Sequence, residues 1–305
     1  SSIARPRALP LLAALATVAA FTACQPARLP DAQEIDAALL DLQEQRALAL
    51  QAARQDASEQ NLATLIDLGL WSEAREELAR LDPGSPVRRL AEARLAFKSH
   101  RYAQADSLLK ALLLLTPSDR AARQLGMELD IQAWNLDEAA ASARRILAEN
   151  PRDAAAAGVL GRIDLLRRDY DGAMRWARLA QTWDPNLADG FKLQAEAHFW
   201  NQQTEQAEHA LRAALRRNPF DPDARFSYGY AIWRRVDATQ LPLMARNWEL
   251  ALLVDPLHYL THWHFGNGHT HLTYVDYAHP TDEEVRGRLA EAEEGRAVFR
   301  GVPLA

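Results

Sequence analysis

A single cysteine, Cys24, stands in a chain of 305 residues, so no internal disulfide can form. Basic residues are outnumbered, 35 Lys and Arg against 41 Asp and Glu. The resulting net charge of −6 argues against a general nucleic-acid binder, which needs a basic face. The apolar run from Ala8 to Phe21 is too short for a comfortable transmembrane span. There is no HExxH, no zinc-finger spacing of His and Cys and no established hydrolase motif, so no enzyme class is indicated. With 13 Gly and 15 Pro the chain is neither disordered nor collagen-like. What remains is an ordinary folded composition, 48 % hydrophobic and 25 % charged, with both signs interspersed as on solvated helix faces.

Arg5 and Arg7 precede the apolar run, and small residues lead from it to Cys24. A positive start, a short apolar core and a small-residue exit predict a secretory signal over residues 1–23. Phe21-Thr22-Ala23-Cys24 also resembles the bacterial lipobox, although Leu is commoner at its first position. That resemblance implies a lipidated Cys24 as the mature N-terminus. Gln25 after it implies an anchor in the outer membrane, facing the periplasm. An ordinary signal followed by a chance cysteine is the plainer alternative. A free thiol in an exported protein would be a liability, which favours the lipidated reading. Over residues 24–57 a short tether, Gln25 to Pro30, gives way to a helix capped by Asp31. Ala, Leu, Gln and Arg dominate it to about Ala57, with Ile35, Leu39, Leu42 and Leu48 at roughly helical spacing.

Beyond that helix the chain keeps a period. Steps of 34 residues link Pro117, Pro151, Pro185 and Pro219, and the same step links Ala105, Ala139, Ala173 and Ala207. The stretch from Ala154 to Pro185 carries the whole pattern: Leu160-Gly161, Tyr170, Ala173, Ala180 and a closing Asp184-Pro185. This order resembles the tetratricopeptide repeat (TPR), a helix–turn–helix unit. The resemblance covers residues 58–256 and implies an all-α fold, an α-solenoid of about six stacked hairpins. Small residues such as Gly161 and Ala173 would sit where helices approach most closely, and the prolines would end each second helix. The period runs three residues short from Ala74 to Ala105. The unit from Pro222 to Pro256 is three residues longer than those before it, around Asp237 to Leu243.

Stacked hairpins of this kind imply a concave groove lined by the first helix of each unit. The groove positions of the resemblance correspond here to Arg94, Phe97, Gln124, Glu128, Arg162, Leu165, Lys192, Glu196, Phe199, Phe226, Tyr230 and Trp233. The C-terminal half is the more aromatic, with Arg234 beside Trp233. Aromatic residues and Arg anchor interfaces, so Phe199, Phe226, Tyr230, Trp233 and Arg234 are the candidate partner-binding residues. The competing assignment makes Phe199, Tyr230 and Trp233 core of the next repeat.

Six of the nine histidines fall between His258 and His279, inside residues 257–305. As a further, degenerate repeat, Phe265-Gly266 would take the Leu-Gly position. Gly266 and Gly268, however, would cost about 1 kcal/mol each inside a helix. The other reading is a helix ending near Gly266, or an irregular or hairpin-like His-rich insertion turning at Asn267-Gly268. With a two-residue turn, His262, His264, His269 and His271 would share one face and could hold Zn, Cu or Ni, with Asp276, His279 and Glu283 nearby. Thr281 to Glu284 has capping-box spacing and opens a last helix to about Phe299.

Two functions follow. The leading expectation is a non-enzymatic interaction scaffold, lipid-anchored in the cell envelope, that binds a protein or peptide during assembly of an envelope, pilus or secretion complex. No cofactor is expected of it. The alternative is a metal-binding protein or metal-dependent enzyme built on the His-x-His pairs, with Zn or Cu.

Overall fold

In the computed structural model of the protein, residues 32–235 and 240–265 are described, with side chains from residue 37. A long helix α1 (Ala32–Gln55) leads into paired helices: α2 (Glu59–Asp67) with α3 (Trp71–Leu78), and α4 (Pro86–Lys98) with α5 (Tyr102–Leu115). Next come α6 (Arg120–Gln132) with α7 (Leu136–Glu149), and α8 (Ala154–Leu166) with α9 (Tyr170–Trp183). The series continues with α10 (Asp189–Trp200) and α11 (Thr204–Leu215), then α12 (Pro222–Arg234) and α13 (Leu241–Val254). Residues 259–265 are helical again. This is an all-α array of helical hairpins, a TPR-like solenoid.

Local chemistry starts and stops these helices. The first helices α6, α8 and α12 begin at Asp119, Asp153 and Asp221, whose carboxylates accept from the backbone N–H three residues on at 2.9 Å. Each such cap contributes about 1 kcal/mol. The first helices end in a left-handed residue: Gly69, His100, Trp134, Arg168 and Gln202, with φ between 56° and 77°. The four non-glycines are themselves spaced by 34 residues. At every such turn the following N–H reaches back to a carbonyl five residues earlier, as in Arg101 to Ala96 at 2.8 Å and Asp169 to Asp164 at 2.8 Å. This Schellman closure outweighs the roughly 1–2 kcal/mol that a left-handed backbone costs a residue with a Cβ.

The repeating alanines mark the close approaches. Ala105, Ala139, Ala173 and Ala207 have no solvent exposure. Gly161 lies against Leu193 and Trp176, so an added Cβ would sit 2.9 Å from Trp176 Cβ and collide with the Leu193 side chain. Gly229 lies against the fully buried Trp248, whose indole N–H donates to the Phe226 carbonyl at 3.0 Å.

The stack also winds back on itself. Leu250 and Val254 of α13 belong to the same apolar cluster as Leu42 of α1 and Leu65 and Ile66 of α2. Arg46 of α1 donates to Leu68 O at 2.9 Å and to Leu253 O at 2.6 Å, joining the C-terminal ends of α2 and α13. His100 Nε2 lies 3.2 Å from Leu257 O. The first hairpin and the sixth thus meet, and α1 is the piece wedged between them.

The helical run at 259–265 corrects one expectation: His262 and His264 do not lie on a strand of a β-hairpin. The supposed turn at Asn267-Gly268 and the helix after Thr281 lie outside the described residues. Among the described residues no helix is long and apolar enough to cross a membrane.

Glycine substitutions test the packing. Gly229→Ala is expected to lower stability by about 1–3 kcal/mol, because the pinned Trp248 cannot give way. Gly126 sits inside α6 with no atom within 4 Å of an added Cβ, so Gly126→Ala is expected to raise stability by about 0.5–1 kcal/mol. Urea unfolding of both variants checks the opposite signs.

Candidate functional site

Along the stack the first helices touch one another directly, α2 with α4, α4 with α6, α6 with α8 and α8 with α10. They form its inner, concave wall. One position on that wall, stepped by 34 residues, reads Arg94, Glu128, Arg162, Glu196, Tyr230 and His264. The sign alternates along four helices, and the row then ends in two ring side chains.

Charges beside the row complete an electrostatic network. Arg94 Nη1 lies 3.5 Å from Asp67 Oδ2. Lys192 Nζ reaches Asp221 at 2.8 Å, Asp189 at 3.2 Å and Asp223 at 3.9 Å. His258 Nδ1 accepts from the Thr261 backbone N–H at 3.2 Å, so its proton is on Nε2, which donates to Asp223 Oδ1 at 3.0 Å. Enclosure on the concave side raises the pKa of Glu128, against the pull of Lys98 and Arg162. It raises that of Glu196 against Arg162 and Lys192. Burial works against the charge on Lys98, yet Asp67, Asp255, Asp223 and Glu128 outweigh it and its pKa rises. Lys192 goes well above its ordinary value in the same way, burial being outweighed by Asp221, Asp189 and Asp223. Enclosure by the concave wall works to raise Asp223, although its side chain is 64 % exposed, but the His258 hydrogen bond and Lys192 outweigh it and hold it far below the usual carboxylate range. Lys98 belongs to the second hairpin, whereas Asp223 and Asp255 belong to the sixth and its exit. Their coupling crosses the concave space, as the closure of the stack requires.

The predicted aromatic residues gather at the far end of the row. Phe226 is buried, 8 % exposed, and stacks between Tyr230 at 5.9 Å and Trp248 at 6.2 Å. Phe199, Tyr230 and Trp233 are half-buried against the same cluster, with Tyr230 5.6 Å from Trp233 and 6.3 Å from Phe199. Arg234 is exposed at the end of α12. Phe226 is therefore a core residue, while Phe199, Tyr230 and Trp233 keep one side open.

The described histidines do not make a metal centre, and the expectation of Zn or Cu at this cluster is corrected. Among the described residues no group of three or more His, Cys, Asp or Glu could hold a metal ion. The reason is helical geometry. Side chains two residues apart on a helix point to nearly opposite sides. His262 Nε2 meets Pro256 O at 2.8 Å. His264 instead sits among Phe226, Tyr230 and Trp233 at 5.4, 5.0 and 5.6 Å, where burial lowers its pKa. The sequence treated the aromatic set and the histidine set as rival sites, and His264 joins them into one. His269, His271, Asp276, His279, Glu283 and Cys24 lie outside the described residues.

A cleft of about 730 Å³ opens where the first helices begin. Glu59 of α2, Arg120 and Gln124 of α6, and Asp153 at the start of α8 line it, with Trp183 and Leu187 beside them. Glu59 faces residues of the third and fourth hairpins and of the loop before α10 there, so the cleft opens onto the concave space. Sequence reading by groove position found Arg94, Glu128, Arg162, Lys192 and Glu196. It missed Lys98, Asp67, Asp223 and His258, which enter only because the stack curves them inward. The signal that was available is the 34-residue step itself, which carries Tyr230 onward to His264.

No protein-family model matches the sequence, and no curated protein is detectably similar to it. The likeness is to solved structures. A thermophilic TPR protein of Thermus thermophilus superposes with a TM-score of 0.51 at 16 % identity, covering 60 % of this chain and 98 % of its own. A chain of the APC/C hetero-tetramer Cut9–Hcn1 superposes with a TM-score of 0.57 at 12 % identity, over 89 % of this chain and 53 % of its own. This chain thus spans about half of the latter's length. At such identities the likeness is one of fold alone: a TPR-like array.

The shifted carboxylates make opposite predictions with pH. Glu196 is raised in the folded state, so its ionised form costs stability at neutral pH, and the cost disappears as pH falls through the folded pKa. Asp223 is lowered, so it contributes stability above the unfolded carboxylate pKa of about 4 that is lost as pH falls below it. Glu196→Gln is expected to raise the melting temperature near neutral pH and Asp223→Asn to lower it. Both differences should shrink in acid, as melting curves across pH would record.

Proposed function

We propose that this protein is a scaffold that captures an extended segment of a partner protein on its concave face. The observation that carries this reading is the inner row of charged residues ending in the half-open Phe199, Tyr230 and Trp233. Charged groups on an inner wall give specificity and half-exposed aromatic rings give anchoring, the division of labour found in protein interfaces. Partner capture is expected to fail in a Tyr230→Ala, Trp233→Ala double variant that keeps the helical circular dichroism of the parent. Undiminished pull-down by that variant overturns the assignment.

The address of this scaffold is a second part of the proposal. The apolar run and the Phe21-Thr22-Ala23-Cys24 sequence support export, lipidation of Cys24 and retention at the outer membrane facing the periplasm. There the scaffold would assist assembly of an envelope, pilus or secretion complex. Cys24→Ser is expected to move the protein from the membrane fraction to the soluble fraction of a bacterial host. Equal membrane retention of the variant and the parent would remove the anchor from the reading.

A further inference from the structure

Several charges away from the inner wall have close partners. Arg123 makes two hydrogen bonds to Glu149 at 2.7 and 3.1 Å, Arg88 reaches Glu92 at 2.7 Å, and Arg167 reaches Asp137 at 2.5 Å. Glu128, Arg162 and Glu196 on the inner wall are different. Among the described residues none of the three makes a hydrogen bond or a close ion pair. Each carboxylate nevertheless feels Arg162 from the neighbouring helix. Enclosing a carboxylate without a close partner costs free energy, so the fold gains nothing from this arrangement. A bound chain carrying the opposite signs would complete it.

The geometry sets the form of that chain. Glu128, Arg162 and Glu196 occupy the same position on the successive first helices α6, α8 and α10, which pack directly side by side. Packed helices lie about 8–10 Å apart. A polyproline II segment rises about 3.1 Å per residue and presents every third side chain on one face. Three residues therefore advance about 9 Å and return the same face to the wall. A β-strand places side chains three apart on opposite faces and cannot keep this register. Space is available beside the row, because Gly158 of α8 has only Asp189 Cβ near an added Cβ, at 4.0 Å. The mouth cleft at Gln124 and Ala154 offers the way in.

We propose that the concave wall accepts a partner segment in the polyproline II conformation whose every third residue alternates basic, acidic, basic against Glu128, Arg162 and Glu196. Past Glu196 the row reaches Tyr230, which takes an aromatic or aliphatic side chain. This inference rests on the interaction reading above and specifies the chemistry of its partner.

The test is selection of a random dodecapeptide display library on the full chain. Binding of the enriched peptides is then measured for the parent and for Glu128→Gln and Glu196→Gln. These substitutions keep side-chain shape, and thermal melts confirm folding. The expected outcome is enrichment of charges alternating at three-residue spacing, with affinity falling about tenfold or more in either variant. Peptides that are enriched without that spacing, or that bind the Gln variants as well as the parent, overturn the charge register while the scaffold reading stands. Absence of any enriched peptide overturns the capture of extended segments altogether.

Discussion

Contact between the two ends of the array constrains everything inside it. The α13 residues Leu250 and Val254 share an apolar cluster with α1 and α2, and Arg46 hydrogen-bonds to the carbonyl ends of both α2 and α13. Carbonyls at a helix end carry partial negative charge and lack partners within the helix, so a guanidinium satisfies two such ends at once. Joining residues more than two hundred positions apart in sequence converts a one-dimensional stack into a ring-like body. The inner wall consequently faces itself, and Lys98 on one side feels Asp223 and Asp255 on the other.

Regular spacing beneath this closure comes from two repeated devices. Alanine or glycine at the helix contacts lets neighbouring helices approach without overpacking. A left-handed residue closed by a Schellman bond turns each of the first helices α2 to α10 into its second. Each hairpin is thereby aimed in nearly the same direction as the last, and the curvature accumulates until the ends meet. The departures from the period fall where this strict aim is relaxed. The short helix α3 has eight residues where α5, α7 and α9 have fourteen, and it lies next to α1. The lengthening lies between α12 and α13, after the last left-handed turn among the described residues.

An inner wall of alternating charge suits such a body. An apolar wall of the same size would collapse or be filled by another chain, whereas unpaired charges hold water and demand a matching partner. The network also has internal asymmetry. Lys192, Asp221, Asp223 and His258 are tightly mutually bonded and brace the α10–α12 junction, while Glu128, Arg162 and Glu196 stay uncommitted. The braced end carries the aromatic residues, so the anchoring rings stand beside the ion-paired part of the wall.

Residue order alone specifies the helical hairpins, their all-α stacking and the residues buried at their contacts. Those properties depend on neighbours within one period: Ala173 and Gly161 are legible because a small residue is required wherever two adjacent helices meet. The inward position of Arg94, Glu128, Arg162 and Glu196 is implied by the resemblance to the tetratricopeptide repeat, whose groove positions they match. What those residues face is settled in three dimensions, because it depends on the summed rotation of all the hairpins and on α1 meeting α13. The fate of the histidines is settled there too. Their spacing would bring His262 and His264 together on a strand, but helical residues 259–265 send them to opposite sides, and His264 is left among the aromatic rings of Phe226, Tyr230 and Trp233.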